Sequence, residues 1–280
     1  HRVETIVEHR QLTAAGSSGP ATFTANGVVR AALPAAQESL DAVRYAHLAL
    51  PKLAAYGNAD IGYVFPTGPV LHVLREARTG SYNLINQGPF TNSNNQTRSY
   101  LTLWFDHGAE LTGSGAAYAY VVLPGASATQ TAAYSQTPDV EILVNTIHVQ
   151  AVRDRKLRAT GINFWSAGTV DGIVCDQPAS LTLLEREGQL HLGFSDPTQE
   201  TTTAVTLEFP YSGVSVVARD PLVTVLSLSP RLRLSFAVAG TRGRSLAVVV
   251  QLRGTPSSAP VVRQNPSPLA LPAGSTAAFN

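Results

Sequence analysis

Between Asn86 and Arg98 the chain reads Asn-Gln-Gly-Pro-Phe-Thr-Asn-Ser-Asn-Asn-Gln-Thr-Arg, a run of side-chain amides that ends on a guanidinium. An amide donates and accepts hydrogen bonds at once, which suits sugar hydroxyls, and the planar fork of an arginine suits a carboxylate. Asn86, Phe90, Asn92, Asn94 and Arg98 are the residues expected to face such a ligand, with Phe90 free to lie against a sugar ring. Gln87, Asn95 and Gln96 supply further amides. The competing reading is an ordinary polar surface loop. Asn95-Gln-Thr97 also fits a glycosylation sequon, which matters only in a eukaryotic host.

Other reactive residues are less promising. Asp106 and His107 could pair for acid–base work, but adjacent strand residues point to opposite faces. Holding a turn through backbone hydrogen bonds is the better expectation for them. Glu76 and Arg78 lie two residues apart, on one face of a strand, and are expected to form a structural ion pair. Glu76, Asp106 and Glu110 together would permit a two-carboxylate hydrolase as a third option. The 7 histidines show no HExxH or other ligand spacing, so no metal site is expected, and no cofactor is implied. Gly240-Thr-Arg-Gly-Arg-Ser245 is expected to be a hairpin turn, because a phosphate cradle would need a helix after it.

These residues must be positioned by strands. Leu101, Leu103 and Phe105 alternate with Tyr100, Thr102 and Trp104, the period-two mark of a strand with two distinct faces. Tyr118-Ala-Tyr-Val-Val-Leu123 reads as a strand apolar on both faces, which two layers would cover. Gln37 to Leu50 fits either a helical face or a strand. Asp139 to Val152 alternates well enough to close the first domain's sheet. Beyond about residue 168, Leu190/Leu192/Phe194, Val205/Leu207/Phe209, Leu232/Leu234/Phe236/Val238 and Leu246/Val248/Val250/Leu252 form four inward faces. Prolines 178, 197, 210, 221 and 230 fall between such runs, the pattern of an antiparallel sandwich. The expected class is all-β, in three parts: residues 1–160 as part of a large sandwich, 161–254 as a smaller C-terminal antiparallel sandwich, and 255–280 as a Pro/Ser/Ala-rich tail.

Composition narrows the partners. A formal charge of +1 with 14% charged residues gives little support to nucleic-acid binding. The densest charge cluster, Arg153 to Arg158, mixes signs and is expected to be a solvated linker. No run of ~18 apolar residues is present to span a bilayer, so no membrane partner is expected. The single cysteine, Cys175, cannot make an internal disulfide. The absence of methionine implies a mature, trimmed or partial chain.

Several phrases in order resemble one family. Tyr100 to Gly125, Val3 to Leu12 ("VETTIENRxL"), Gly62-Tyr-Val-Phe-Pro66 ("GYxFP"), Glu76 to Asn86 ("ExRTGSWxDIN"), Asn163-Phe-Trp165 and Ser195 to Gln199 resemble the β domains of polysaccharide lyase family 8, which holds hyaluronate, chondroitin AC and xanthan lyases. The chain departs from the pattern at Tyr82, where the family has Trp, and at Leu84, where it has Asp. The resemblance implies a secreted lyase that cleaves uronic-acid-containing polysaccharide by β-elimination, with hyaluronan or chondroitin as first choice and xanthan second. It implies catalytic Asn, His, Tyr and Arg in a preceding helical toroid, so no catalytic residue is assigned here and this chain alone is expected to be inactive. The helical portion is expected as a separate, tightly bound polypeptide. A non-catalytic carbohydrate-binding or structural β module is the rival from another class.

Overall fold

Leu101, Leu103 and Phe105 all turn to the buried side of their strand, as their alternation predicts. The computed structural model describes residues 2–12, 21–30, 36–50, 60–86, 88, 94–109 and 116–254. Its first half comprises β1 (Glu4–Gln11), β2 (Thr22–Ala25), β3 (Val28–Arg30), β4 (Ala36–Leu40), β5 (Tyr45–Ala49), β6 (Ile61–Val64), β7 (Leu71–Gly80), α1 (Tyr82–Ile85), β8 (Gln96–Asp106), β9 (Val121–Pro124) and α2 (Ala128–Gln136). The strands form a four-stranded sheet ordered β1-β8-β7-β4 and a five-stranded sheet ordered β3-β2-β5-β6-β9, antiparallel throughout. Leu71, Val73, Leu101 and Leu103 of one sheet meet Phe23, Leu48 and Tyr63 of the other in a common core. Each such side chain contributes roughly 1.5–3 kcal/mol through its burial.

Charged groups continue this interior. Arg75 is buried beside Leu101 and donates to Glu38 at 2.9 Å, while Arg30 lies 3.7 Å from the same carboxylate. Glu8 accepts from the Tyr63 phenol and pairs with Arg10 at 3.0 Å. The Tyr63 bond ties β6 to β1 across the two sheets.

The second half comprises β10 (Val140–Asn145), β11 (Val149–Asp154), β12 (Ala159–Phe164), β13 (Gly168–Val170), β14 (Ile173–Cys175), β15 (Ala179–Arg186), β16 (Gln189–Ser195), β17 (Ala204–Phe209), β18 (Gly213–Arg219), β19 (Val223–Ser227), β20 (Leu232–Ala237) and β21 (Leu246–Leu252). A seven-stranded sheet, β10-β11-β12-β15-β16-β21-β18, covers a five-stranded one, β13-β14-β17-β20-β19. All four inward faces expected from the sequence are buried between them. Phe194 and Phe236, one from each sheet, stack with ring centroids 4.1 Å apart. The chain is thus all-β and antiparallel in its architecture, with prolines 178, 197, 210, 221 and 230 outside the strands.

Four local expectations are corrected. Tyr118 to Leu123 is not a strand covered on both sides: only Val121–Pro124 is extended in the ladder, at a sheet edge, with Val122 exposed. Apolar content on both faces there belongs to an edge strand, not to one covered by two layers. Asp139 to Val152 does not close the first sheet, because β10 and β11 pair with each other and β11 with β12 in the seven-stranded sheet. Period two fixes the faces of a strand but not its neighbour. A division near residue 160 would therefore cut a ladder. The Arg153 to Arg158 cluster is the β11–β12 hairpin turn, with Leu157 N–H donating to Asp154 Oδ1 at 2.8 Å, not a linker. Gly240 to Ser245 is a crossover between sheets, since β20 and β21 belong to different layers. The ambiguous stretch from Gln37 resolves into β4 and β5 on separate sheets. The tail expected over 255–280 lies outside the described residues.

Candidate substrate-facing site

The long β7–β8 hairpin carries the region singled out by its amides. Register places Glu76 opposite Tyr100, Arg78 opposite Arg98 and Thr79 opposite Thr97, with the two threonine hydroxyls 2.8 Å apart. Residues two apart on a strand share a face. Glu76, Arg78, Arg98, Tyr100 and Thr102 therefore share the face turned away from the core, since Arg75 and Leu101 point inward. β1 adds His9, whose ring stacks on Tyr100 at 5.1 Å with 3° between planes and whose Nδ1 lies 2.8 Å from Thr102 Oγ1.

Of the expected residues, Arg98 lies within β8 rather than in the loop. Its guanidinium donates to Thr97 O at 2.9 Å and to Gln96 Oε1 at 2.7 Å, so the fork is held in place. Asn86 caps α1 and is exposed, and its Oδ1 accepts from Gly88 N–H at 3.1 Å in a local turn. Asn94 is exposed. Phe90, Asn92 and Gln87 lie outside the described residues, as does Glu110. The expected Glu76–Arg78 ion pair is present.

Arg78 and Arg98 face one another across the ladder with the single carboxylate of Glu76 beside them. Like charges directly opposed are unfavourable, and an anion bridging the two guanidinium groups would relieve the repulsion. Nothing in the local sequence associates Arg78, Tyr100 or His9 with this surface. Arg78 and Arg98 lie far apart in the chain and meet only through the β7–β8 register, and His9 arrives from β1; each lies at an outward position of an alternating run.

Asp106 and His107 behave as a turn. Asp106 Oδ1 accepts from Gly108 N–H at 2.8 Å and its other oxygen pairs with Arg2, while His107 Nε2 lies 2.8 Å from Thr5 Oγ1. Among the described residues no group of three or more His, Cys, Asp or Glu is placed to hold a metal ion. No helix among them is long and apolar enough to cross a membrane.

Comparison with known proteins fits this architecture. The profile of the polysaccharide lyase family 8 super-sandwich domain matches residues 1–135, and that of the family's C-terminal beta-sandwich domain matches residues 141–205. A xanthan lyase of Bacillus sp. (strain GL1) is 38% identical over 92% of this chain, and a hyaluronate lyase of Thermasporomyces composti 34% identical over 90%. The chain spans 27% and 30% of those two relatives' lengths. The solved structure of a Paenibacillus xanthan lyase superposes with a TM-score of 0.83 at 33% identity, over 93% of this chain and 24% of that one. The Streptomyces coelicolor A3 chondroitin AC lyase gives 0.71 at 29% identity, over 90% and 29%. With family profiles matched over residues 1–135 and 141–205 and relatives aligned along nearly its whole length, the chain belongs to polysaccharide lyase family 8.

Proposed function

We propose that the chain is the C-terminal β portion of a lyase that cleaves a uronic-acid-containing polysaccharide by β-elimination. The carrying observation is the Arg78–Arg98 pair on the outward face of the β7–β8 hairpin, beside the His9–Tyr100 stack. Two guanidinium groups suit the uronate carboxylate, a ring stack suits the sugar face, and the amides of Asn86 and Asn94 suit its hydroxyls. In the elimination a base removes the C5 proton, the C4–O bond breaks, a C4–C5 double bond forms, and a proton goes to the leaving oxygen. Charge develops on the carboxylate as the proton leaves, so cationic or hydrogen-bonding groups around it lower the barrier. The groups that move the proton belong to a helical portion, and the residues named here hold the polymer.

Among substrates xanthan is proposed first. The greater identity to the xanthan lyase, 38% against 34% for the hyaluronate lyase, supports that order over hyaluronan and chondroitin. The helical portion is proposed as a separate polypeptide docked at the hairpin tip, where Tyr82, Leu84 and Ile85 of α1 are all exposed. A polymeric substrate that stays outside the membrane supports the reading that the protein is secreted to meet it. Incubating this chain together with its helical partner polypeptide with xanthan, hyaluronan and chondroitin tests the reaction: ultraviolet absorbance from unsaturated uronate should rise, fastest with xanthan. Reducing ends released without that absorbance would point to a hydrolase instead.

A further inference from the structure

Gln150, Asn163, Ser180 and Ser195 stand in one row across β11, β12, β15 and β16, each the register partner of the next. Their chain neighbours Ala151, Ile162, Leu181 and Phe194 are buried between the sheets, so the row faces outward. Three inter-strand gaps give it a length of about 14 Å. Ser180 Oγ donates to Asn163 Oδ1 at 2.7 Å, and Asn163 is itself exposed. Trp165, two residues past Asn163 on the same face, is 48% exposed, and its Nε1 donates to Gln150 Oε1 at 2.7 Å. Gln150 Nε2 in turn donates to Thr146 O at 3.0 Å, so the indole is anchored through its nitrogen while the residue stays half exposed beside the groove.

The next row reads Val152, Gly161, Thr182, Gly193. A glycine inside a strand weakens it unless something needs the space. Packing does not need it here: a Cβ on Gly193 would meet only the Thr182 Cβ at 4.0 Å, and one on Gly161 only Val152 Cγ1 at 3.8 Å. The missing side chains instead lower the floor of an open groove that runs along these rows to Tyr118. Among the described residues, none that lines the groove is charged.

We propose that this groove binds an uncharged, extended stretch of polysaccharide, with sugar rings laid along the Gln150–Asn163–Ser180–Ser195 row and one ring resting on the Trp165 indole. Amides and hydroxyls arranged in a line match the donors and acceptors of successive sugar hydroxyls. An anchored aromatic ring loses little freedom on binding, which favours even a short ligand. A carboxylate would enter without a cation to meet it, so the groove selects against charged sugars, in contrast to the Arg78–Arg98 face. A β-linked glucan, flat and ribbon-like, is the chemistry that fits a shallow sheet face.

Affinity electrophoresis of the full-length protein through gels containing hydroxyethyl cellulose, a soluble neutral β-glucan, tests the proposal, with hyaluronan gels as the charged comparison. Hydroxyethyl cellulose should retard the protein, and Trp165→Ala and Gly193→Gln should each weaken the retardation at least about tenfold, as for loss of a binding hot spot. Gly193→Gln fills the groove without removing a contact, so it remains informative if Trp165→Ala impairs folding. No retardation by the neutral glucan, retardation by hyaluronan alone, or retardation that Gly193→Gln leaves unchanged would each overturn the proposal. Binding is read without turnover, so its failure leaves the proposed elimination chemistry untouched.

Discussion

Thr131 of α2 occupies the space above Gly62 of β6: a Cβ added to Gly62 would lie 2.1 Å from the Thr131 Oγ1 and 2.8 Å from its Cγ2. Thr131 cannot easily move away, because it is fully buried and its hydroxyl donates to Ser127 O at 2.9 Å inside the first turn of α2. Ser127 and Gln130 fix that turn by a reciprocal capping pair. Gly62→Ala should therefore push the helix off the sheet and destabilise the first sandwich by roughly 1–3 kcal/mol, the cost of overpacking. Urea denaturation followed by circular dichroism measures it. Adding Thr131→Gly should recover part of the loss, and a fully stable Gly62→Ala would show that α2 does not press on β6.

That contact shows where sequence reading stops. Gly62-Tyr-Val-Phe-Pro66 was recognisable as a family phrase, and the structure supplies a physical task for its members: Gly62 admits Thr131, Tyr63 reaches Glu8, and Phe65 meets Phe105 edge-on at 5.7 Å. Each partner is distant in the chain, and no spacing rule connects them. Alternation reported burial faithfully in β8, β16, β17, β20 and β21 because inward residues recur every second position. It is silent on sheet membership, so alternation alone puts β10 and β11 in the wrong sandwich and suggests a hairpin at the Gly240 crossover. At the candidate site, Arg98 could be picked from its chemistry, whereas Arg78 and His9 became neighbours only through register.

Tyr63 and Tyr211 should resist ionisation. Burial first, then the Glu8 carboxylate that accepts the Tyr63 hydroxyl, raises the phenol well above its ordinary value; burial and Glu185, at 2.9 Å, do the same for Tyr211. A raised folded-state pKa contributes stability that is complete below the unfolded value of about 10 and is lost as pH rises beyond it, because only the unfolded chain ionises freely. Spectrophotometric titration of the folded protein should find these two phenols silent through the main tyrosine step, and stability should fall above pH ~10. If Tyr63→Phe reduces the amplitude of that main step, the phenol was titrating normally.

Asp196 works in the opposite pH range. It is buried, which by itself would raise its pKa, but bonds from Thr198 Oγ1, Thr198 N–H and Thr201 N–H hold the carboxyl below its ordinary value. Those bonds, at 2.7, 2.9 and 3.0 Å, shape the loop after β16. A depressed folded pKa contributes stability that is present above the unfolded value of about 4 and disappears as pH falls through the folded one. Asp196→Ala should cost roughly 1–3 kcal/mol at neutral pH, since it removes the hydrogen bonds of Thr198 and Thr201 to a charged, buried carboxylate. The gap between variant and parent, from urea curves at pH 7 and below pH 3, should narrow in acid; a gap independent of pH would refute the assignment.

Cys175 reports on the second sandwich without any probe being added. Its side chain is 2% exposed in β14, Sγ donates to Gln177 O at 3.0 Å, and burial pushes the thiol up to about 11. Only the thiolate attacks a disulfide reagent, so at pH 8 the folded protein holds about a hundredfold less reactive sulfur than an exposed cysteine would, before steric exclusion is counted. Labelling should then proceed through opening of the five-stranded sheet that contains β14. Peptide mapping after timed exposure to a thiol reagent would follow it, and the labelling rate should rise with urea in parallel with unfolding. Substituting Phe236→Ala, which removes the ring stacked on Phe194 and costs about 3–5 kcal/mol in a packed core, should accelerate labelling at every urea concentration below the transition. Labelling of the folded parent at the rate of a free thiol would mean that Cys175 is reached without opening, and would displace it from the core described above.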